Sequence, residues 1–178
     1  ISDVQAMNPS LLYVIAFSQL QGINLYERKK LIQVFGSAMS IYNACKQGGE
    51  ALMELELKSV ESLLSPWPLK AASEELSAIT QLSIETTCLE DAAYPNRLFQ
   101  CEDAPTILFS KGSKKWNLPY LISIVGTRNN TMYADRVIQE LLEGIQHLNL
   151  GVVSGLALGI DGMVHEKACQ LKIPNCHL

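Results

Sequence analysis

Two short loops carry the residue types in this chain that are best suited to chemistry. Each loop follows an apolar run, and each combines glycine with a hydroxyl side chain. Glycine lets the backbone approach a ligand closely, and hydroxyl and guanidinium groups donate to phosphate oxygens. The two loops therefore predict a phosphate-binding site. Its residues are Gly126, Thr127 and Arg128 in the first loop and Ser154, Gly155 and Gly159 in the second.

The polar side chains of these loops also have simpler interpretations. Arg128 can pair with Asp135 at the surface, although its position after a strand-end glycine favours phosphate. The hydroxyls of Thr127 and Ser154 can equally well donate to phosphate or cap turns. For each of these side chains, phosphate binding and the simpler role both remain open from the sequence.

Asp161 and His165 follow the second loop at a spacing of four residues, which places them on one helix face. They could form a catalytic pair, but no serine or cysteine nucleophile stands at a recognised motif position. We therefore favour a structural role, with Asp161 as an N-cap or first-turn residue. No catalytic residue is predicted, and both residues are kept as part of a candidate pocket.

The elements around the loops indicate a doubly wound α/β fold. The segments 120–125 and 150–154 are nearly all apolar, as expected of strands buried on both faces of a parallel sheet. An amphipathic helix follows the first loop, with Val137, Ile138, Leu141, Leu142, Ile145 and Leu148 predicted on its apolar face. The order strand, loop, helix, repeated twice, brings both loops to the carboxyl ends of neighbouring strands, where helix N-termini favour anions. Neither Gly-x-Gly-x-x-Gly nor Gly-Lys-Ser/Thr occurs, so no nucleotide cofactor is predicted.

The first part of the chain reads as short helices. Asn24 is predicted to cap the second helix, Gly36 to end it and Ser37 to cap the third. We predict an all-helical domain over residues 1–82 and a Rossmann-like domain over 83–178. A helix, a turn at Gly22 to Asn24 and a second helix resemble a helix-hairpin-helix, a motif that can bind DNA phosphates. The segment is acidic, which favours a packing or protein-contact role instead. The basic run Arg28-Lys29-Lys30 is interpreted as a solvated helix face rather than a nucleic-acid contact.

Charge is divided unevenly along the chain. The whole chain has a formal net charge of −4. Residues 1–103 carry seven basic and thirteen acidic side chains, whereas residues 104–178 carry seven basic and five acidic. A polyanion would therefore meet the second half. Lys111, Lys114 and Lys115 beside Trp116 form a basic and aromatic cluster that could contact DNA or be a soluble turn.

The five cysteines and the early apolar run indicate the cellular compartment. The number of cysteines is odd and no Cys-x-x-Cys occurs, which indicates a reducing cytosol rather than a disulfide framework. Cys169, Cys176 and His177 supply only fragments of a zinc site, so we expect core cysteines and no metal. The run 11–17 is too short to span a bilayer and lacks a basic leader. The sequence therefore predicts a cytoplasmic protein with no membrane partner.

Several motifs together resemble the DNA-processing protein A family, also called DprA or Smf. The most specific are the two loops themselves with the residues that follow them. The matching residues are Tyr94-Pro95, Leu98, Asp103-Ala104-Pro105, Leu108, Lys111-Gly112, Ile124 to Arg128, Tyr133, Val153 to Ala157, Gly159 to Asp161 and His165.

The resemblance implies a non-enzymatic protein of natural transformation in competent bacteria. It implies binding and protection of single-stranded DNA, loading of the RecA recombinase, and a homodimer formed through the Rossmann-like domain. The family's DNA pocket maps onto Arg128, Ser154 and Gly155. The helical N-terminus is similar to the family's sterile-alpha-motif-like or helix-hairpin-helix domain.

The chain also departs from the family pattern. Ala134 stands in place of a usual glycine, and Leu158 in place of a frequent lysine phosphate contact. Family members continue beyond residue 178, so we expect a truncated piece with an unpaired sheet edge and much of the dimer and RecA surfaces missing.

Two other functions remain as alternatives. One is a nucleotide phosphoribohydrolase with a Rossmann-like phosphate site, although its Pro-Gly-Gly-x-Gly-Thr-x-x-Glu loop does not occur. The other is a fragment that acts only in protein contacts.

Overall fold

A computed structural model describes residues 9–53, 59–112 and 116–177 of the chain. The chain divides into two compact units, Ile1–Gly112 and Ser113–Leu178. The first is mainly helical, and the second is a parallel sheet with helices. The predicted α/β class, with a small helical part followed by a Rossmann-like sheet, is confirmed.

The first unit combines helices with a β-hairpin. Strands β1 and β2 pair antiparallel, with Thr86 opposite Phe109. The elements are α1 (Pro9–Gln19), α2 (Leu25–Phe35), α3 (Ala38–Lys46), α4 (Glu50–Met53), α5 (Val60–Leu64), α6 (Leu69–Gln81), β1 (Glu85–Cys88), α7 (Asn96–Gln100) and β2 (Ile107–Ser110).

Local capping chemistry sets the ends of the early helices. Asn24 forms a capping box with Glu27 at the start of α2. Gly36 ends α2 in the left-handed conformation at φ 80°. The Ser37 hydroxyl accepts the Ser40 N–H at the start of α3. These three capping roles were predicted from the sequence and are confirmed.

The hairpin shares one hydrophobic core with the helices. Phe17 of α1 is fully buried, and Leu89, Tyr94, Ala104 and Ile107 are buried in the same cluster. The compact units consequently divide at residue 112, whereas the sequence placed the Rossmann-like domain from residue 83. Membership of 83–112 in that domain stays a prediction, and its packing lies with the first unit.

The second unit is a three-stranded parallel sheet with two helices. Its elements are β3 (Tyr120–Ser123), α8 (Met132–Ile145), β4 (Leu150–Ser154), α9 (Ile160–Gln170) and β5 (Asn175–His177). The strand order is β3-β4-β5, so β4 is central. Both pairings are parallel, with Ile122 opposite Val152 and Val153 opposite Cys176. The predicted order of strands, loops and helices is confirmed.

The burial of this unit differs from the expectation in two places. Tyr120 is 70% exposed and Val125 is 69% exposed, so β3 and its continuation are not buried on both faces. Within the described residues β3 pairs with β4 alone, which leaves it at an edge. On α8, Ile138 and Leu142 pack in the core, whereas Val137, Leu141 and the following Leu148 are exposed. The predicted apolar face was therefore too wide, because only one narrow stripe of the helix enters the core that it shares with α9 and β4.

Candidate nucleic-acid interface

The two glycine loops meet at the carboxyl ends of β3 and β4. The N–H of Ile160 donates to the carbonyl of Thr127 at 3.1 Å. A Cβ on Gly159 would collide with the same carbonyl oxygen, and Gly159 has φ +88°. Only glycine fits this contact, because a side chain would overlap the other loop and strain the backbone. The sequence expectation that the loops lie together therefore holds.

The carboxylate of Asp161 lies between the loops. Its Oδ1 accepts the N–H of Gly126 at 3.0 Å, and its Oδ2 accepts the N–H of Gly155 at 3.2 Å. Asp161 is in the first turn of α9 as expected, but its side chain bonds to the loops instead of capping its own helix, whose N-cap is Gly159. Two N–H groups expected to face phosphate thus already have a partner within the chain.

Ser154 and His165 contact protein groups beneath the second loop. The Ser154 hydroxyl donates to the carbonyl of Ile124 at 2.6 Å. The His165 ring contacts the Ser154 carbonyl through Nε2 at 3.3 Å and the Asn175 side chain through Nδ1 at 3.0 Å. Both residues are buried. These contacts link the residue after β3, the last residue of β4 and the first residue of β5 to α9, and they support a structural role for His165.

Arg128 remains open to solvent at the tip of the first loop. Its guanidinium has no hydrogen-bond or ion-pair partner among the described residues. The alternative pairing with Asp135 is wrong, because Asp135 pairs with Lys167 at 3.0 Å. No described residue accepts the backbone N–H of Thr127 or Arg128. The Thr127 hydroxyl accepts the Asn129 N–H at 3.2 Å, a turn-capping contact.

Two side chains of the basic run on α2 make contacts within the protein. Arg28 is buried, and its guanidinium donates to the carbonyls of Phe17, Leu20 and Ile23. Lys29 donates to the carbonyls of Phe99 and Cys101. The interpretation of this run as a solvated face is therefore wrong for Arg28, which joins α1 to α2.

The other lysine cluster is only partly described. Lys111 is exposed in the first unit. Lys114 and Lys115 lie outside the described residues. Both interpretations of this cluster, a DNA contact or a soluble turn, stay open.

The cysteines are unpaired, and the expectation of core cysteines holds only in part, since Cys45 and Cys88 pack against the core of the first unit. Cys101 and Cys169 are exposed, and the other three are half-buried. Burial, together with the charges of Glu90 and Asp91, raises the pKa of the Cys88 thiol to about 12. In the described part of the chain no three His, Cys, Asp or Glu side chains are grouped to hold a metal ion.

None of the described helices is both long and apolar enough to cross a membrane.

Sequence reasoning missed the bridging role of Asp161. The signal available was an acidic residue two positions after the close-packed Gly159, at the start of a helix whose N-terminus attracts anions. Its actual partner Gly126 is 35 residues away in the chain. Such a contact cannot be read from helical spacing.

The family model "DNA recombination-mediator protein A" matches residues 85–176, which is more than half of the chain. The chain belongs to this family. The match runs from β1 to the middle of β5 and includes both glycine loops. The resemblance proposed from the sequence is thereby confirmed.

Curated relatives support the same assignment. The DNA processing protein DprA of Bacillus subtilis is 38% identical over 98 residues, covering 54% of this chain and 33% of that protein. Protein Smf of Escherichia coli is 28% identical over 117 residues, covering 66% of this chain and 31% of the relative. The chain thus spans about a third of the length of these relatives.

A solved structure shows the same fold. The X-ray structure of DNA processing protein A from Streptococcus pneumoniae matches with a TM-score of 0.55 and 22% identity. The match covers 92% of this chain and 56% of the pneumococcal chain.

Proposed function

We propose that this chain binds single-stranded DNA through the two glycine loops of its second unit, as part of a DNA-processing protein of natural transformation. The observation that carries the proposal is the exposed guanidinium of Arg128, which has no ion-pair partner among the described residues. It stands beside two backbone N–H groups, of Thr127 and Arg128 itself, that have no described acceptor. Together these groups can donate to one phosphate.

The packing of the loops supports a preformed site. Gly159 lies against the backbone of Thr127 and Arg128, and Ile160 donates to Thr127. The second loop thus packs against the turn that carries Arg128 and holds that turn in place. Preorganised donors bind an anion with less loss of conformational entropy than a mobile side chain does.

The individual site residues contribute in different ways to the proposed site. Arg128 and the Thr127 turn contact phosphate, while Gly159 permits the close approach of the loops. Gly126, Gly155 and Ser154 donate within the protein in the present arrangement, so we propose that they shape the site.

The relatives' names favour a wider role in recombination. We propose that the protein acts by binding rather than by catalysis, in the cytoplasm, that it protects incoming single strands, and that it helps to load the RecA recombinase. A homodimer of the full-length protein belongs to the same proposal. These roles rest on family membership.

Fluorescence anisotropy with labelled oligo-dT at two salt concentrations tests the proposal. Arg128→Gln should weaken binding about tenfold, and it should make the slope of log K against log salt shallower by about 0.7, the value for one phosphate of a single strand. Lys172→Gln is the matched control, because it removes one positive charge next to the start of β5, at the opposite edge of the sheet. Equal effects of the two variants, or no binding by the native chain, would contradict the proposal. The same sample should release no free base from a nucleoside monophosphate, the reaction expected of the phosphoribohydrolase alternative.

A further inference from the structure

Asp161 is an acidic residue at the centre of a site proposed to bind an anion. Asp161 is 7% exposed, and its two carboxylate oxygens accept hydrogen bonds from different loops. A buried carboxylate is costly unless its oxygens accept hydrogen bonds, and here each oxygen has a backbone donor. Both oxygens of the Asp161 carboxylate therefore have hydrogen-bond donors within the protein.

The surroundings of Asp161 are shaped for this bridge. A Cβ on Gly155 would lie 2.8 Å from Oδ2 of Asp161, so glycine is what allows the close N–H contact. A Cβ on Gly126 would lie 2.7 Å from the side chain of Ile160, the neighbour of Asp161. Both glycines thus accommodate the first turn of α9, in addition to any ligand.

We propose that Asp161 is the positioning residue of the DNA site. Its carboxylate ties the loop of Gly126 to the loop of Gly155 and thereby holds the turn of Thr127 and Arg128 at the rim. The inference rests on the proposed function. It assigns the two glycine N–H groups to Asp161 and leaves DNA phosphate to the groups of Thr127 and Arg128.

Whether a substitution of Asp161 strengthens or weakens DNA binding distinguishes a positioning role from a purely electrostatic effect of its charge. Removing a negative charge near bound DNA should strengthen binding by ordinary electrostatics. Asp161→Asn keeps the size of the side chain but places an amide NH₂ against one of the two N–H groups, so the bridge is broken. Positioning therefore predicts weaker binding, by about fivefold to tenfold.

The control and a second variant use the same titration. Asp135→Asn removes the same charge from an exposed side chain of the second unit and should not weaken binding. Gly155→Ala leaves every charge in place but pushes a methyl group onto Oδ2, and it should weaken binding as Asp161→Asn does.

Amide hydrogen exchange by NMR reports on the bridge without DNA. In Asp161→Asn the N–H groups of Gly126 and Gly155 should exchange about tenfold faster, since each had donated to a charged acceptor that the variant removes. The Gly36 N–H, which donates to Ile32 in the first unit, should keep its rate.

The outcomes separate the two proposals. If the native chain binds DNA and Asp161→Asn binds equally or more tightly, the positioning role is overturned while the proposed function stands. Unchanged exchange at both glycines also overturns it. A native chain that binds no DNA overturns the proposed function and the positioning role with it.

Discussion

Replacing Arg28 by methionine should lower the free energy of unfolding of the first unit by far more than replacing a solvated residue of a basic run would. Arg28 is 6% exposed, and its guanidinium donates to the carbonyls of Phe17, Leu20 and Ile23. It also lies 5.3 Å above the centre of the Phe17 ring. The carbonyls of Phe17 and Leu20 lie in the last turn of α1 and just beyond it, where a helix lacks N–H donors four residues on. The Phe17 carbonyl also accepts the N–H of Leu20 at 3.3 Å.

The expected loss of stability follows from these contacts. A hydrogen bond from a charged donor contributes about 1.5–3 kcal/mol net, and the substitution removes three such bonds together. Burial disfavours the charged guanidinium and lowers the pKa of Arg28, which offsets part of that gain. We expect a net loss of about 3 kcal/mol, a large part of the roughly 5–15 kcal/mol that stabilises a domain. Arg28→Lys should lose about half as much, because one ammonium group cannot reproduce the planar fork.

Urea unfolding followed by tryptophan fluorescence measures the effect. Trp67 is buried and stacked on Phe17 at 5.5 Å, so in a Trp116→Phe background it reports on the first unit. Lys30→Met is the matched control from the same helix. A loss for Arg28→Met within about 0.5 kcal/mol of the control would refute the reasoning, since only an exposed basic residue has so small an effect.

Two further predictions concern packing and reactivity. Gly159→Ala should destabilise the second unit by about 2 kcal/mol or more, whereas Gly144→Ala, with open space around it inside α8, should stabilise it by about 0.5–1 kcal/mol. Thermal unfolding of both variants measures the two changes in stability. Changes of the same sign would contradict the close contact between the loops. Cys88 should resist iodoacetamide at pH 8 while exposed Cys101 reacts, because a raised pKa of about 12 leaves Cys88 almost wholly protonated there. Mass spectrometry of the alkylated peptides measures the two rates, and equal labelling of native protein would show that Cys88 is not shielded.

Local chemistry could be predicted from the sequence. Asn24, Gly36 and Ser37 were assigned to helix ends because a cap acts on groups within about four residues of itself. The order of strands and helices from residue 120 followed from hydrophobic periodicity. The positions of both glycine loops at the strand ends followed from that order, and the family was indicated by the resemblance of its motifs to residues of this chain.

Tertiary structure decided which distant groups are partners. The β-hairpin packs with the helical unit, Arg28 is buried among three carbonyls, and Asp135 pairs with Lys167 rather than Arg128. Asp161 accepts N–H groups from two loops, one of them 35 residues away. A sequence states which groups can donate or accept. Their actual partners depend on which elements pack together, because a hydrogen bond acts over about 3 Å of space whatever the separation along the chain.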